Sequence, residues 1–297
     1  MVDQPAVVEY SEVMPRVSEW RRFIKVFFSR GMVVFGLVIL ILMVVTAIFA
    51  PLIAPYGPDK IHPLDSLSGP SKAHLLGADK LGRDTLSRLI YGCRTALIVG
   101  FVTVIISSVI GTVLGLIAGR FGGVTGGFIM RAMDALMCFP MIMLALLVAA
   151  VLGGGVKNVI IALSVASIPV YARVTNGLTL SIRENDYVLA GKSLGSGNMR
   201  IMFRHILPNA FAPLIVIMTL QLGNLILAEA GLSFLGIGIS APTSAWGSMV
   251  SDGRQFLLEL PILSLAPGVA IMLVVFAFNL VGDGLRDALD PRLRGTL

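Results

Sequence analysis

The sequence predicts an all-α polytopic membrane protein with six transmembrane helices and a polar, helical cytoplasmic loop between two of them. Three observations carry that reading. Hydrophobic residues make up 56% of the chain and charged residues only 13%, and with a mean hydropathy of +0.89 this composition cannot clothe a soluble surface. Apolar runs of about 20 residues recur along the 297-residue chain, each long enough to cross a hydrocarbon core about 30 Å thick. Between two of these runs lies a polar, basic, glycine-punctuated stretch, DYVLAGKSLGSGNMRIMFRHILPNA (186–210), which packing against lipid does not require.

The elements follow in chain order. The first 30 residues are polar and charged, and the first apolar run, 32–54, is too long for a signal-peptide core, so it reads as an uncleaved first span. The further spans are expected at 95–118, 132–152, 158–180, 209–230 and 262–282, with Pro140, Pro169, Pro213 and Pro267 expected to kink helices rather than end them. Glycine and serine are frequent in the second and fourth spans, which suits close helix packing. The chain divides into an N-terminal cytoplasmic segment, 1–31, a membrane domain, 32–285, and a cytoplasmic tail, 286–297. Around the start of that tail, Asp283, Arg286, Asp287, Asp290 and Arg292 have the spacing of a solvated short helix.

The net charge of +6 reflects topology rather than nucleic-acid binding. With the N-terminus inside, 14 of the 23 Lys and Arg residues lie in cytoplasmic segments and eight outside, with Arg173 in a span. This bias predicts cytoplasmic termini and a cytoplasmic 181–208 loop. The long first outer loop opposes the bias with six basic residues of its own. Its second half carries Leu81, Leu86, Leu89 and Ile90 among Arg83, Asp84 and Arg88, the spacing of an amphipathic helix at the outer interface. A second outer segment, 231–261, holds glycines, prolines and Trp246 and reads as a re-entrant or interfacial cap.

In the 186–210 stretch a short helix begins near Asp186, Gly195-Ser196-Gly197 breaks it, and a second short helix runs to Pro208. Such a knuckle outside the bilayer can dock a soluble partner. It resembles the EAA loop of the permease subunits of binding-protein-dependent ABC importers, in which Glu-Ala-Ala is followed by Gly and then by an Ile-x-Leu-Pro end. Gly195, Leu207 and Pro208 fall on matching positions. Leu189 stands at the Glu position, Ala190 and Gly191 at the two Ala positions, and His205 at the Ile position. Gly191 weakens the first short helix by up to about 1 kcal/mol relative to Ala.

Four further stretches, LLGADKLGRDTLSRLIYGCRTAL (75–97), AEAGLSFLGIG (228–238), Trp246-Gly247 and FNLVGDGLRDALDPRLRG (278–295), are similar to the C-type permease of the dipeptide, oligopeptide and nickel importer family. The resemblance covers nearly the whole chain from about Gly31. It implies an inner-membrane permease of a bacterium that imports peptides, or else nickel or another small solute. It also implies a homologous second permease, two ABC ATPases beneath the pair, and an extracytoplasmic solute-binding protein. The coupling surface it implies comprises Asp186, Tyr187, Leu189, Ala190, Gly191, Gly195, His205, Leu207 and Pro208.

No G-x-x-x-x-G-K-[ST] phosphate cradle occurs. The expectation is a transport subunit without a catalytic site or cofactor of its own, with ATP and Mg held by partner chains. An ion-coupled secondary transporter requires carboxylates near the midplane, and the only carboxylate well inside an apolar run is Glu229, near an outer end. Glu229 is the candidate pathway residue, the alternative being a structural pair with an Arg or with amides of the following loop. Arg173 is expected to snorkel or to line the inner vestibule, and Arg131 with Asp134 to form an i,i+3 pair. His62, His74 and His205 carry no metal-ligand pattern, and neither do Cys93 and Cys138, which fall near opposite faces.

Overall fold

The computed structural model describes residues 19–289. A short helix, α1 (Glu19–Phe28), precedes α2 (Gly31–Ile48), and one further turn, α3 (Ala50–Ile53), completes the first crossing. After a long irregular excursion comes α4 (Thr85–Phe121), then α5 (Gly123–Met137), α6 (Met141–Leu152) and α7 (Val156–Ile182). The knuckle holds α8 (Asp186–Ser193) and α9 (Asn198–Arg200), which a π-helical turn, Ile201–Ile206, joins to α10 (Leu207–Phe234). Finally α11 (Trp246–Gly253) packs across the bundle end opposite the knuckle, and α12 (Ile262–Leu289) returns through it. Five runs are long and apolar enough to cross a membrane: α2, α4, α7, residues 198–234 and α12. The bent pair of α5 and α6 makes the sixth.

The bundle is organised around α4 and α7, whose mutual interface is its largest. A stripe of glycines at four-residue spacing on α4 lets the two backbones touch. A Cβ at Gly111 would stand 2.6 Å from Tyr171 Cβ, one at Gly115 would stand 2.5 Å from the Ala172 carbonyl oxygen, and one at Gly119 would stand 2.6 Å from Thr179 Cβ. Where lipid surrounds the bundle there is little hydrophobic drive between helices, so this close approach is itself a main source of their attraction. Nearer the other end of α4, Val99 joins Leu163, Leu225, Ile226 and Leu232 in one buried apolar cluster shared by α4, α7 and α10.

Several expectations need correction. The third span is not one kinked helix, since α5 and α6 meet at 88°. Pro140 lacks an N–H, its ring obstructs the carbonyl four residues back, and it pushes Phe139 out of helical geometry. Phe139 and Pro140 are exposed, so no packing across the break restores the helix. Pro169, Pro213 and Pro267 stay inside continuous α7, α10 and α12, the first and last of them buried and Pro213 exposed. Nor does the charged C-terminal stretch form a separate short helix. It continues α12 to Leu289, so the expected boundary at 285 falls inside a helix, and Asp287 there pairs with Arg30 at 2.7 Å. Residues 290–297 lie outside the described residues.

The amphipathic helix expected in the first outer loop is also absent. Residues 75–84 form turns with an antiparallel bridge between Ala78 and Asp84, and helix begins only at Thr85, continuous with the second span. Charge pairing explains the difference, because Arg83, Asp84 and Arg88 are buried rather than solvated. Asp79 accepts from Arg83 Nε at 2.7 Å and from Arg88 Nη1 at 2.6 Å with one oxygen. Its other oxygen accepts the amides of Leu81 and Arg83. Burial pushes the Asp79 carboxyl up, but the amides of Arg83 and Leu81 and the charges of Arg88 and Arg83 hold it below its ordinary value. Asp84 caps α4 through the Ser87 amide at 2.7 Å and bonds His74 Nδ1 at 2.9 Å. Lys80 reaches Asp252 of α11 at 2.8 Å, and Trp246 Nε1 donates to the Leu89 carbonyl at 3.0 Å with its ring over Gly92. The second outer segment is thereby fastened to the first.

Two outcomes follow from this packing. Gly115→Ala should lower stability by about 1–3 kcal/mol, because the added methyl group meets backbone that cannot yield. Gly177→Ala, with nothing within 4 Å, should be neutral or better, and thermal unfolding in detergent compares the two. His74 is held above its ordinary value of 6.5 by its bond to Asp84, against burial, with Asp65 assisting. A raised folded pKa gives stabilisation that is complete below the unfolded value and is lost as pH rises through the folded one. The melting temperature should therefore decline as pH is taken upward from about 6.5, and His74→Gln should flatten that slope.

Candidate functional site

The knuckle is built on a helix stop. At the end of α8 the Gly195 amide bonds the Lys192 carbonyl and the Ser196 amide bonds the Gly191 carbonyl, both at 3.0 Å, with Gly195 at φ +81°. This paired arrangement satisfies the last carbonyls of the helix and needs a residue that accepts positive φ. Asp186 in the first turn and Lys192 in the last complement the helix dipole.

The second half differs from expectation. Residues 198–234 form one continuous helix, so the chain does not break at Pro208. The π turn at 201–206 adds a residue to the turn just ahead of the proline, where a regular helix would be obstructed by its ring.

One face of the knuckle is anchored. Val188, Ile201, Met202 and Ile206 are buried against Leu116 of α4, with Ile182 and Leu207 packed beside them. Polar ties reinforce the anchor. Arg183 Nη1 donates to the Gly119 carbonyl at 2.9 Å, one of the carbonyls left free at the end of α4. Arg120 Nη2 donates to Asn198 Oδ1 at 2.8 Å. The end of α7 that leads into α8, and α9 itself, are thus secured to the same end of α4.

The other face is exposed and apolar. Leu194 is 87% and Met199 64% exposed, and Tyr187, Leu189 and Phe203 are also exposed. Several large exposed apolar side chains on one short segment mark a candidate site of protein association. Of the residues expected at the coupling surface, Asp186, Tyr187, Leu189, Ala190, Gly195 and Pro208 are exposed, while Gly191, His205 and Leu207 are partly buried. A Cβ at Gly191 would lie 3.8 Å from His205 Nε2, an ordinary contact. Two of the three departures from the EAA pattern, Gly191 and His205, therefore face each other, and alanine would fit at 191. Sequence reasoning missed Val188, Leu194, Arg120, Asn198, Met199 and Phe203. The spacing of Val188 from the Ile201–Ile206 cluster was the available signal for the anchor, whereas nothing local in the sequence links Arg120 to Asn198.

Glu229, the candidate pathway residue, is only 2% exposed in the isolated chain. Ser233 Oγ donates to its Oε1 at 2.7 Å and accepts the Ile239 amide at 2.9 Å. Glu229 is thereby tied to the following loop through a serine, which supports its structural alternative. Arg173 does not stand alone, because it pairs with Asp134. The pair expected between Asp134 and Arg131 is replaced by this one across α5 and α7.

The chain is thus a multi-span bundle carrying a knuckle anchored on one face and exposed on the other. Residues 111–295 match the family described as binding-protein-dependent transport system inner membrane component, and the chain belongs to it. Residues 18–70 match the N-terminal TM domain of oligopeptide transport permease C. The chain is 43% identical over 278 residues to the dipeptide transport system permease protein DppC of Alkalihalophilus pseudofirmus, covering 94% of this chain and 91% of that protein. It is 43% identical over 279 residues to the glutathione transport system permease protein GsiD of Escherichia coli O6:K15:H31, covering 94% and 92%. Among solved structures, an inward-facing crystal form of the MetNI methionine ABC transporter matches with a TM-score of 0.56 at 20% identity, over 69% of this chain and 97% of that one. This last likeness is one of fold.

The conformation of Gly195 gives a sharp test. Gly195→Asn should keep binding of the partner ATPase, because asparagine accepts the left-handed region. Gly195→Val should weaken binding or uncouple ATP hydrolysis, although a Cβ there meets no atom within 4 Å. Co-purification and stimulated hydrolysis in the assembled complex report the difference.

Proposed function

We propose that the chain forms half of the transmembrane pathway of an ATP-driven peptide importer in a bacterial inner membrane. It works beside a homologous second permease, above two ABC ATPases that hold ATP and Mg, and receives substrate from an extracytoplasmic binding protein. Both termini and the knuckle face the cytoplasm in this reading, and no reaction is catalysed on this chain. The observation that carries it is the two-sided knuckle, buried and bonded on one face, apolar and exposed on the other. The peptide assignment draws on relatives named for dipeptide and glutathione transport, glutathione being itself a small peptide.

The geometry suits a lever. Because α8 packs on α4 through Val188, the α7 end that leads into it is held to α4 by Arg183, and α9 is held by Arg120, a push on the exposed face reaches α4, α7 and α10 together. An ATPase can shift the balance between inward-open and outward-open states only by binding one of them better, so the knuckle face must sit differently on the partner in the two states. Proteoliposomes holding both permeases and both ATPases, supplied with the cognate binding protein, should accumulate a labelled dipeptide only with ATP. ATP-driven uptake of nickel or another solute, with no uptake of any short peptide, would reject the substrate assignment. Assembly without the ATPases being recruited by the knuckle would reject the coupling assignment.

A further inference from the structure

Arg173 and Asp134 are the charged residues whose location lipid cannot explain. Arg173 lies nine residues before the end of α7 at Ile182, about 14 Å along the axis. The 27 residues of α7 span about 40 Å against a core of about 30 Å, so an upright helix centred on that core places Arg173 about 9 Å inside the hydrocarbon region. Its partner is Asp134 on α5. Both side chains are about half exposed in the isolated chain, 52% and 53%.

Two neighbouring features share this character. On α10, Asn224 is exposed in mid-span and its Nδ2 donates to Gln221 Oε1 at 2.9 Å. The stripe of Asn224 and Leu227 continues to Gly231, whose Cβ position lies 3.1 Å from Ile142 of α6, which places these amides on the side of α10 that α6 covers. The break at Pro140 is the second feature: α6 begins there, and the first amides of a helix have no partner within it. Hydrocarbon tolerates neither free backbone groups nor exposed charge. The exposed face of α2, by contrast, shows Phe35, Val38, Leu42 and Val45, as a lipid-facing surface should.

We propose that the Asp134–Arg173 pair stands on the wall of a water-filled pathway and receives the charged ends of a passing peptide, the ammonium at Asp134 and the carboxylate at Arg173. The ligand class rests on the peptide-importer reading, while the location does not. A zwitterion replaces each partner's charge with its own, so the pair can open without leaving either charge alone in a region of low dielectric.

Thiol labelling of the complete transporter in proteoliposomes tests the location, in a Cys93→Ala/Cys138→Ala background. Arg173→Cys and Asn224→Cys should react with a charged, lipid-insoluble thiosulfonate at least about tenfold faster than Val38→Cys on the α2 face. Rates equal to that of Val38→Cys would overturn the proposal. So would complete protection in every nucleotide state together with loss of permease pairing in Asp134→Asn, which would assign the ion pair to the contact between subunits. For the ligand, a dipeptide and its C-terminal amide that the binding protein holds equally well are compared. Arg173→Gln should raise the KM for the free dipeptide about tenfold and abolish its preference over the amide. If wild-type transporter imports peptide and Arg173→Gln keeps that preference, charge recognition is refuted. If wild-type imports no peptide, the importer reading fails while the labelling result still decides the location.

Discussion

Backbone contact between α4 and α7 is the constraint on which the other parts depend. Gly111, Gly115 and Gly119 remove the side chains that would hold the two helices apart, and in lipid that close approach replaces the hydrophobic drive available to soluble bundles. α4 has 37 residues, so the same helix begins in the polar network of Asp79, Asp84 and Arg88 and ends beside the knuckle at Arg120. A disturbance at either end reaches the other through a rod fixed along its length to a second rod. The membrane thickness sets how long that rod must be, and the glycines set how closely it can be held.

The chain solves the problem of charge differently at each level. At the end away from the knuckle, Asp79, Arg83 and Arg88 are removed from water and their cost is offset by direct pairing and by amide donors. At the knuckle, Arg120 and Arg183 spend their donors on an amide oxygen and a helix-end carbonyl, holding two segments in place. Glu229 is satisfied through Ser233. Asp134 and Arg173 pair across two membrane helices while about half exposed, and that contrast sets them apart from the buried structural pairs.

Much of this architecture was legible in the sequence. The positions of the apolar runs gave the crossings, because the length of a span is dictated by the bilayer rather than by tertiary contacts. Gly195 was legible as a helix stop because a Schellman turn has a local chemical requirement. What failed was whatever depended on distant partners. Arg83 and Arg88 looked like the solvated face of an interfacial helix until Asp79 and Asp252 were brought beside them. The four prolines were alike in sequence, yet Pro169, Pro213 and Pro267 stay inside continuous helices while Pro140 ends one, and burial does not separate them, since Pro213 is exposed as Pro140 is. Asp134 was matched to Arg131 by spacing, yet the residue it meets lies 39 positions away on another helix.

The π turn at Ile201–Ile206 sets a rotational phase. Successive residues of an α-helix are displaced by about 100° around the axis, so one surplus residue in a turn rotates everything beyond it by about that angle relative to everything before. Met199, on the exposed face of the knuckle, and Asn224, in mid-span, lie on opposite sides of that turn in one continuous helix. Their relative azimuth is therefore a property of the insertion and not of either surface alone. A turn that tightened to ordinary α geometry would swing one face away from its neighbours while the other stayed in place, so the helix carries within itself a means of converting axial load into rotation.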